Sequence, residues 1–173
     1  MDNNISLYLI TGLMASGKST VAELLAKSIE KSVHLHGDIF RKMIISGREE
    51  MSGKPNEEAI RQLNLRYAIT AQAAKEYCNA GFNVIIQDNY YGVMLNKIVE
   101  LLLPYTPKIV VLNPSIEAIK QREESRNKKG YQGFDMNRLY NDFNNETPKI
   151  GFWLDTSILT PEETIKSILD YYQ

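Results

Sequence analysis

The sequence predicts an α/β fold built around a parallel sheet, and three observations predict it. Short apolar runs alternate along the chain with stretches of helical periodicity. The first apolar run leads through a glycine-containing loop into an amphipathic helix. No repeat, low-complexity stretch or Pro/Gly/Ser linker interrupts the alternation, so residues 1–173, 43% of them hydrophobic, are expected to form one domain around one core.

In chain order, Ile5-Ser6-Leu7-Tyr8-Leu9-Ile10-Thr11 is the first strand, and the helix beyond its loop places Val21, Leu24, Leu25, Ser28 and Ile29 on one face. Two further strands, Val33 to His36 and Val84 to Ile86, stop at Gly37-Asp38 and at Gln87-Asp88-Asn89, so each ends beside an acid. Between them a polar stretch from Gly47 to Asn56 precedes a long helix from about Glu57 to Asn79. Ile60, Leu63, Tyr67, Ala71, Ala74 and Cys78 recur along it at helical spacing, and Gly81 is its C-terminal cap. A fourth strand, Lys108 to Leu112, meets Asn113-Pro114-Ser115, read as a helix start with proline in the first turn, and leads to a helix carrying Arg122 and Arg126. After a short strand near Phe152-Trp153-Leu154, the last helix opens on Thr160-Pro161-Glu162-Glu163, which combines an N-cap threonine, a first-turn proline and a capping-box glutamate.

Composition removes several function classes. With 20 Lys+Arg against 21 Asp+Glu, the net charge of -1 offers no broad footprint for nucleic acid or an anionic membrane, although a local basic pocket is compatible with it. Met1-Asp2-Asn3-Asn4 opens with an acid, and the apolar run Ile5 to Ile10 is too short for a signal h-region or a membrane span, so a cytoplasmic location is expected. The lone cysteine, Cys78, excludes an intrachain disulfide and reads as a small core residue. His34 and His36 alternate with Val33 and Leu35, have no further ligand at metal-binding spacing, and read as packing residues; Trp153 reads as core.

The residues Gly12-Leu13-Met14-Ala15-Ser16-Gly17-Lys18-Ser19 match G-x-x-x-x-G-K-[ST], with the strand before and the helix after that this pattern requires. Glycines let consecutive backbone N–H groups turn inward around phosphate oxygens, and the helix N-terminus adds a favourable partial charge. Gly12, Ala15, Ser16, Gly17, Lys18, Ser19 and Thr20 are therefore the candidate nucleotide-binding residues. Lys18 is expected to reach the β- and γ-phosphates, Ser19 to offer its hydroxyl to a bridging Mg²⁺, and Thr20 to continue toward the α-phosphate. A guanine-reading N-K-x-D is absent, since Asn96-Lys97 and Asn127-Lys128 are each followed by other residues; this speaks against a Ras-like GTPase.

Together with Leu35-His36-Gly37-Asp38-Ile39-Phe40-Arg41, the phosphate-loop segment through Thr20 resembles adenylylsulfate kinase, chloramphenicol phosphotransferase and zeta-toxin-type kinases, with gluconate and shikimate kinases more distant. The pattern extends to Leu154-Asp155-Thr156-Ser157 before the last helix. The resemblance implies a P-loop NTPase fold: five parallel strands in the order 2-3-1-4-5 with helices on both faces, a small lid over about 122–137 and an acceptor-binding region over about 38–66. It also implies ATP and Mg²⁺ as cofactors, and Lys18, Asp38 and Arg126 as catalytic residues.

By that likeness Asp38 faces the acceptor hydroxyl as general base or orienting group; the structural alternative is a cap on a short helix over 39–46, paired with Arg41. Arg41 clamps an anionic part of the acceptor, or sits in a surface ion pair. Asp88 and Asn89 are candidate acceptor contacts, and Asp88 joins Ser19 as a candidate metal ligand, although Gln87 interrupts the apolar run of a Walker B segment. Asp88-Asn89 also resembles the strand-end acid of polynucleotide 5′-hydroxyl kinases, but Tyr90-Tyr91 stands where Thr-Asn follows in those proteins. Arg122 and Arg126 precede Asn127-Lys128-Lys129-Gly130 and resemble lid arginines, Arg122 flanking adenine and Arg126 approaching the transferred phosphoryl group. A solvated helix face is the alternative for that pair. Tyr90 and Tyr91 are expected at the acceptor pocket.

The leading expectation is transfer of the γ-phosphoryl group of ATP to a hydroxyl of a small molecule, with nucleic acid an unlikely partner. The rivals are a kinase of a nucleic-acid 5′ end or a nucleotide sugar, and a nucleotide-binding regulator without acceptor chemistry. Arg48, Lys54, Arg61 and Arg66 either favour an anionic acceptor or decorate exposed helix faces, and the sequence leaves both open.

Overall fold

The computed structural model describes residues 5–125, 130–131 and 133–173. In chain order its elements are β1 (Leu7–Gly12), α1 (Lys18–Ser28), β2 (Ser32–His36), α2 (Asp38–Lys42), α3 (Glu57–Asn79), β3 (Asn83–Gln87), α4 (Val93–Leu101), β4 (Lys108–Leu112), α5 (Ile116–Glu124), α6 (Met136–Glu146), β5 (Phe152–Leu154) and α7 (Pro161–Tyr172). The five strands are all parallel and lie in the order β2-β3-β1-β4-β5, as the resemblance implies.

Alternation along the strands builds a core on each side of the sheet. Leu7, Leu9, Val84, Ile86, Ile109 and Val111 face Tyr67, Ala71, Ala74 and Cys78 of α3, Leu95 and Ile98 of α4, Ile119 of α5 and Phe143 of α6. Their neighbours Tyr8, Ile10, Ile85, Val110 and Leu112 face Val21, Ala22 and Leu25 of α1 and Ile165 and Ile168 of α7. At the amino edge, the Asn83 side chain accepts from Ser6 N at 2.9 Å and donates to Glu30 O at 2.9 Å, joining three segments through one amide.

Several helix ends follow their local chemistry. Asn56 caps α3 by accepting from Ala59 N at 2.7 Å, and Thr160 and Glu163 form the reciprocal capping box at α7. Other details differ from expectation. Ser115 is the N-cap of α5, accepting from Ala118 N at 3.2 Å, so Pro114 lies one residue ahead of the cap and not in the first turn. The helix ends at Glu124, and Arg126, with 127–129, lies outside the described residues. The short helix after β2 runs Asp38–Lys42, not over 39–46, and Gly37 is its N-cap. No described helix is long and apolar enough to cross a membrane.

Parallel registry brings the loop that carries Lys18 and the start of α2 with Asp38 to one edge. Gln87 pairs with both Ile10 and His36, so the residues that follow β1, β2 and β3 emerge side by side at their carboxyl ends.

His34, on β2, is a sensitive reporter of this packing. Burial lowers its pKa below the ordinary 6.5, nearby His36 adds to the lowering, and Glu23 opposes it. The unfolded chain therefore binds this proton first, so the contribution of His34 is fully present above pH 6.5 and is lost as pH falls through its lowered folded value. Denaturant midpoints should fall as pH drops from 6.5 toward that lowered value, and His34→Asn should flatten this part of the profile; an unchanged slope would contradict the assignment.

Candidate active site

The phosphate loop depends on backbone that only certain residues adopt. Gly12 has φ 147°, and a Cβ there would run into Leu112 O and sit 2.7 Å from Ser16 Oγ. Ala15 takes φ 64°, an unusual value for a residue with a side chain, and Gly17 takes φ 95°. Ser16 N donates to Leu13 O at 3.1 Å, closing the loop on itself, while the buried Ser16 hydroxyl has no hydrogen-bond partner among the described residues. Helix α1 starts at Lys18 with neither a side-chain N-cap nor an acid in its first turn, an arrangement suited to an external anion. Lys18 Nζ donates to the loop's own carbonyls, Gly12 O at 2.9 Å and Leu13 O at 2.7 Å.

Beyond the loop, Ser19 is exposed to the cavity, and two groups from neighbouring strands approach its hydroxyl. Gln87 Nε2 donates to it at 3.4 Å and His36 Nε2 lies 3.4 Å away. Gln87, which interrupts the apolar run of β3, is thus the β3 residue that reaches Ser19. Asp88 turns elsewhere. Its carboxylate meets Arg66 of α3, whose Nη2 donates to Oδ1 at 3.2 Å; Arg66 Nε lies 2.9 Å from Oδ2, a charge contact outside hydrogen-bond geometry. Asn89 N also donates to Oδ1, at 2.8 Å. The pair is nearly dry, with side-chain exposures of 11% for Arg66 and 7% for Asp88. Burial pushes the Asp88 carboxyl up from its ordinary value, against the pull of Arg66 and of the Asn89 N–H. Gly37 makes room for this carboxylate: a Cβ there would overlap Oδ2 and lie 2.9 Å from Cγ.

Asp38, the first residue of α2, does not cap by its side chain but does make the predicted pair with Arg41: Arg41 Nε donates to Oδ1 at 2.7 Å. Lys42 Nζ lies 3.2 Å from Oδ2, and Arg41 Nη1 also pairs with Glu50. Buried Gln62 positions the segment that carries Glu50, donating to Gly47 O at 2.7 Å and accepting from Glu49 N at 2.9 Å.

On the opposite rim, Arg122 Nη2 donates to Thr156 O at 2.6 Å, and Nη1 approaches Ser16 O at 3.5 Å, joining the phosphate loop to the β5–α7 connection. Tyr131 donates its hydroxyl to Met14 O at 2.8 Å. The buried Glu123 carboxylate accepts from the backbone N–H groups of Gly130 and Tyr131.

Ala15, Ser16, Gly17, Lys18, Ser19, Thr20, Asp38, Arg41, Asp88, Asn89 and Arg122 all line one cavity of about 940 Å³. Gly12 is buried and does not line the cavity, and Arg126 falls outside the described residues. Tyr91 lines the cavity, whereas Tyr90 is buried in the core against Tyr67. His36, expected to pack, and Arg66, left open between an acceptor contact and an exposed face, also line it, as does Gln87. Their position at the end of a strand was the available signal for His36 and Gln87; for Arg66 only its helical phase with Leu63 and Thr70 pointed inward.

Residues 7–139 match the family described as the AAA domain. Among solved structures, the chain resembles a sugar kinase from a Janibacter species at 18% identity and TM-score 0.68, covering 97% of this chain and 94% of that one. It also resembles the tunicamycin resistance protein of Deinococcus radiodurans, at 13% identity and TM-score 0.72 over 97% and 95% of the two chains. Thymidylate kinase of Candida albicans aligns at 17% identity and TM-score 0.67 over 96% and 90%. At these identities the likeness is one of fold. No curated protein matches the chain.

The Arg66–Asp88 pair should be costly to break. Arg66→Ala leaves a buried carboxylate without its cation and should lower unfolding stability by about 3 kcal/mol or more. Arg61→Ala, which removes an exposed partner of Glu58, should leave the denaturation midpoint nearly unchanged. Gly37→Ala should cost about 1–3 kcal/mol through the clash with Asp88. Equal midpoints for Arg66→Ala and Arg61→Ala would contradict this description.

Proposed function

The chain belongs to the AAA domain family, and from that premise we propose that it is a kinase, transferring the γ-phosphoryl group of ATP in the presence of Mg²⁺ to a hydroxyl of a small-molecule acceptor. The observation that carries this reading is a single cavity holding both a phosphate loop and the strand-end carboxylate of Asp38, with room for an acceptor between Asp38, Gln62 and Tyr91. A cytoplasmic location fits a reaction that draws on ATP.

In this reading the loop N–H groups from Ala15 to Thr20 cradle the phosphates. Lys18 exchanges its two carbonyl partners for phosphate oxygens, and Arg122, set between Ser16 and Thr156, flanks the adenine. Mg²⁺ is a hard cation that takes oxygen ligands: Ser19 would hold it through its hydroxyl, and Asp88, whose carboxylate faces Arg66, would join as a ligand only by exchanging that partner. Bound there, the ion would supply positive charge to the β- and γ-phosphate oxygens. Gln87 and His36 orient the Ser19 hydroxyl from β3 and β2.

Asp38, with Asn89 beside the same cavity, receives the acceptor. Its carboxylate is fixed by Arg41 and Lys42, so it presents a set direction to an incoming hydroxyl. The acceptor oxygen bonds to the γ-phosphorus, the bond from phosphorus to the bridging oxygen breaks, ADP departs, and Asp38 takes the hydroxyl proton. Arg126 is assigned to the developing charge on the transferred group.

Acceptor-stimulated ATP consumption and nucleotide affinity, measured on the same protein samples, separate these roles. Asp38→Asn should lower turnover by about 100-fold or more while holding ATP affinity within about twofold. Lys18→Ala should abolish transfer and weaken ATP binding. Unchanged turnover in a folded Asp38→Asn protein would remove Asp38 from the chemistry.

A further inference from the structure

Among the described residues, the acceptor half of the cavity is lined by four carboxylates, Asp38, Glu49, Glu50 and Asp88, and by two guanidinium groups, Arg41 and Arg66. Both arginines are already committed. Arg41 lies 2.7 Å from Asp38 and also pairs with Glu50; Arg66 lies 2.9 Å from Asp88. Lys42 and Arg48 add their charge from the more exposed outer side, at 3.2 Å from Asp38 and 3.2 Å from Glu50. Among the described residues, counting that second layer sets four cations against the four carboxylates, with no excess of positive charge. The Glu49 carboxylate is met by an uncharged amide, Asn56 Nδ2 at 3.1 Å.

An acidic acceptor would therefore have to draw Arg41 or Arg66 away from a carboxylate, leaving a negative group uncompensated beside its own. The phosphates of a bound nucleotide would add further negative charge nearby. A neutral hydroxyl compound meets no such penalty, and an amine can replace Asn56 at Glu49. Beside the polar Gln62 and Asn89, the wall carries an apolar patch: Leu63, Tyr91, Met94 and Phe134 line the same cavity, are partly buried and pack on the core. Such a surface matches the face of a ring.

We propose, resting on the kinase reading, that the acceptor is an uncharged or amine-bearing hydroxyl compound with a ring face, and not a carboxylate or a phosphate ester. On this reading the basic residues of 38–66 serve the protein's own carboxylates or its surface. Arg66 neutralises Asp88, Arg48 reaches Glu50, Arg61 pairs with Glu58 on the surface, and Lys54 does not line the cavity.

The test is binding to the full chain loaded with Mg²⁺ and a non-hydrolysable ATP analogue, followed by melting temperature and calorimetry. The probes are hexoses, inositols, nucleosides and aromatic alcohols, each in uncharged, amine-bearing and acid-bearing form. The tightest uncharged or amine-bearing probe should bind at least about tenfold better than its acid-bearing counterpart. Glu49→Gln should then reduce the preference for amine over uncharged forms by about threefold or more. Equal or tighter binding of the acid-bearing form overturns the proposal, and so does failure of every class to bind. ATP consumption with the same probes keeps the two readings apart. Binding in the expected pattern without turnover removes the kinase and leaves the acceptor class; turnover stimulated best by an acid does the reverse.

Discussion

A carboxylate removed from water must be given a counter-charge, and the way Asp88 receives one organises the functional edge of this protein. Its partner Arg66 comes from α3, on the other side of a turn and a strand, so the ion pair ties that helix to the end of β3. The same carboxylate packs so closely on Gly37 that no side chain fits there, which draws in the end of β2. Asn89 N completes the set from the backbone. One buried anion thus positions a helix and two strand ends, and Asp38, the next residue after Gly37, inherits its place from that arrangement.

Around this point the polar groups of the cavity are mutually engaged. Lys18 rests on carbonyls of its own loop, Arg41 spans Asp38 and Glu50, and Arg122 joins Ser16 to Thr156. Binding at such a site is an exchange of partners, so its selectivity depends on what each displaced group leaves behind. Lys18 leaves carbonyls, which tolerate the loss of a cation; Arg41 and Arg66 leave carboxylates, which do not. The two ends of the cavity consequently differ in their tolerance for anions, although basic residues stand at both.

Most of the architecture was legible because its signals are local. The phosphate loop, the bounds of α3, the capping box at Thr160 and the strand Lys108–Leu112 each follow from residues within a few positions of one another. Two helices were not. Helix α4 begins after Gly92 with no side-chain cap, so nothing announces its start. Helix α6, Met136–Glu146, does carry Met136, Leu139, Tyr140 and Phe143 at helical spacing behind the Asp135 cap, but its asparagines are weak helix formers and obscure that signal. At the site, Asp38 and Asp88 could be singled out by their place after strands. Arg66 and Gln87 could not be assigned, because one depends on a contact across 22 positions and the other first appears as a flaw in an apolar run.

The two cores have a consequence for how the sheet finds its alignment. Strands β1, β3 and β4 are apolar on both faces, so sliding one of them by a single residue exchanges one greasy surface for another and meets little hydrophobic resistance. The discrimination falls to the ends. At one margin the Asn83 amide bridges Ser6 and Glu30; at the other, Gly37 N meets Gln87 O and the glycine admits Asp88. The rim that faces the ligand therefore also serves as an index mark, telling neighbouring strands where to stop.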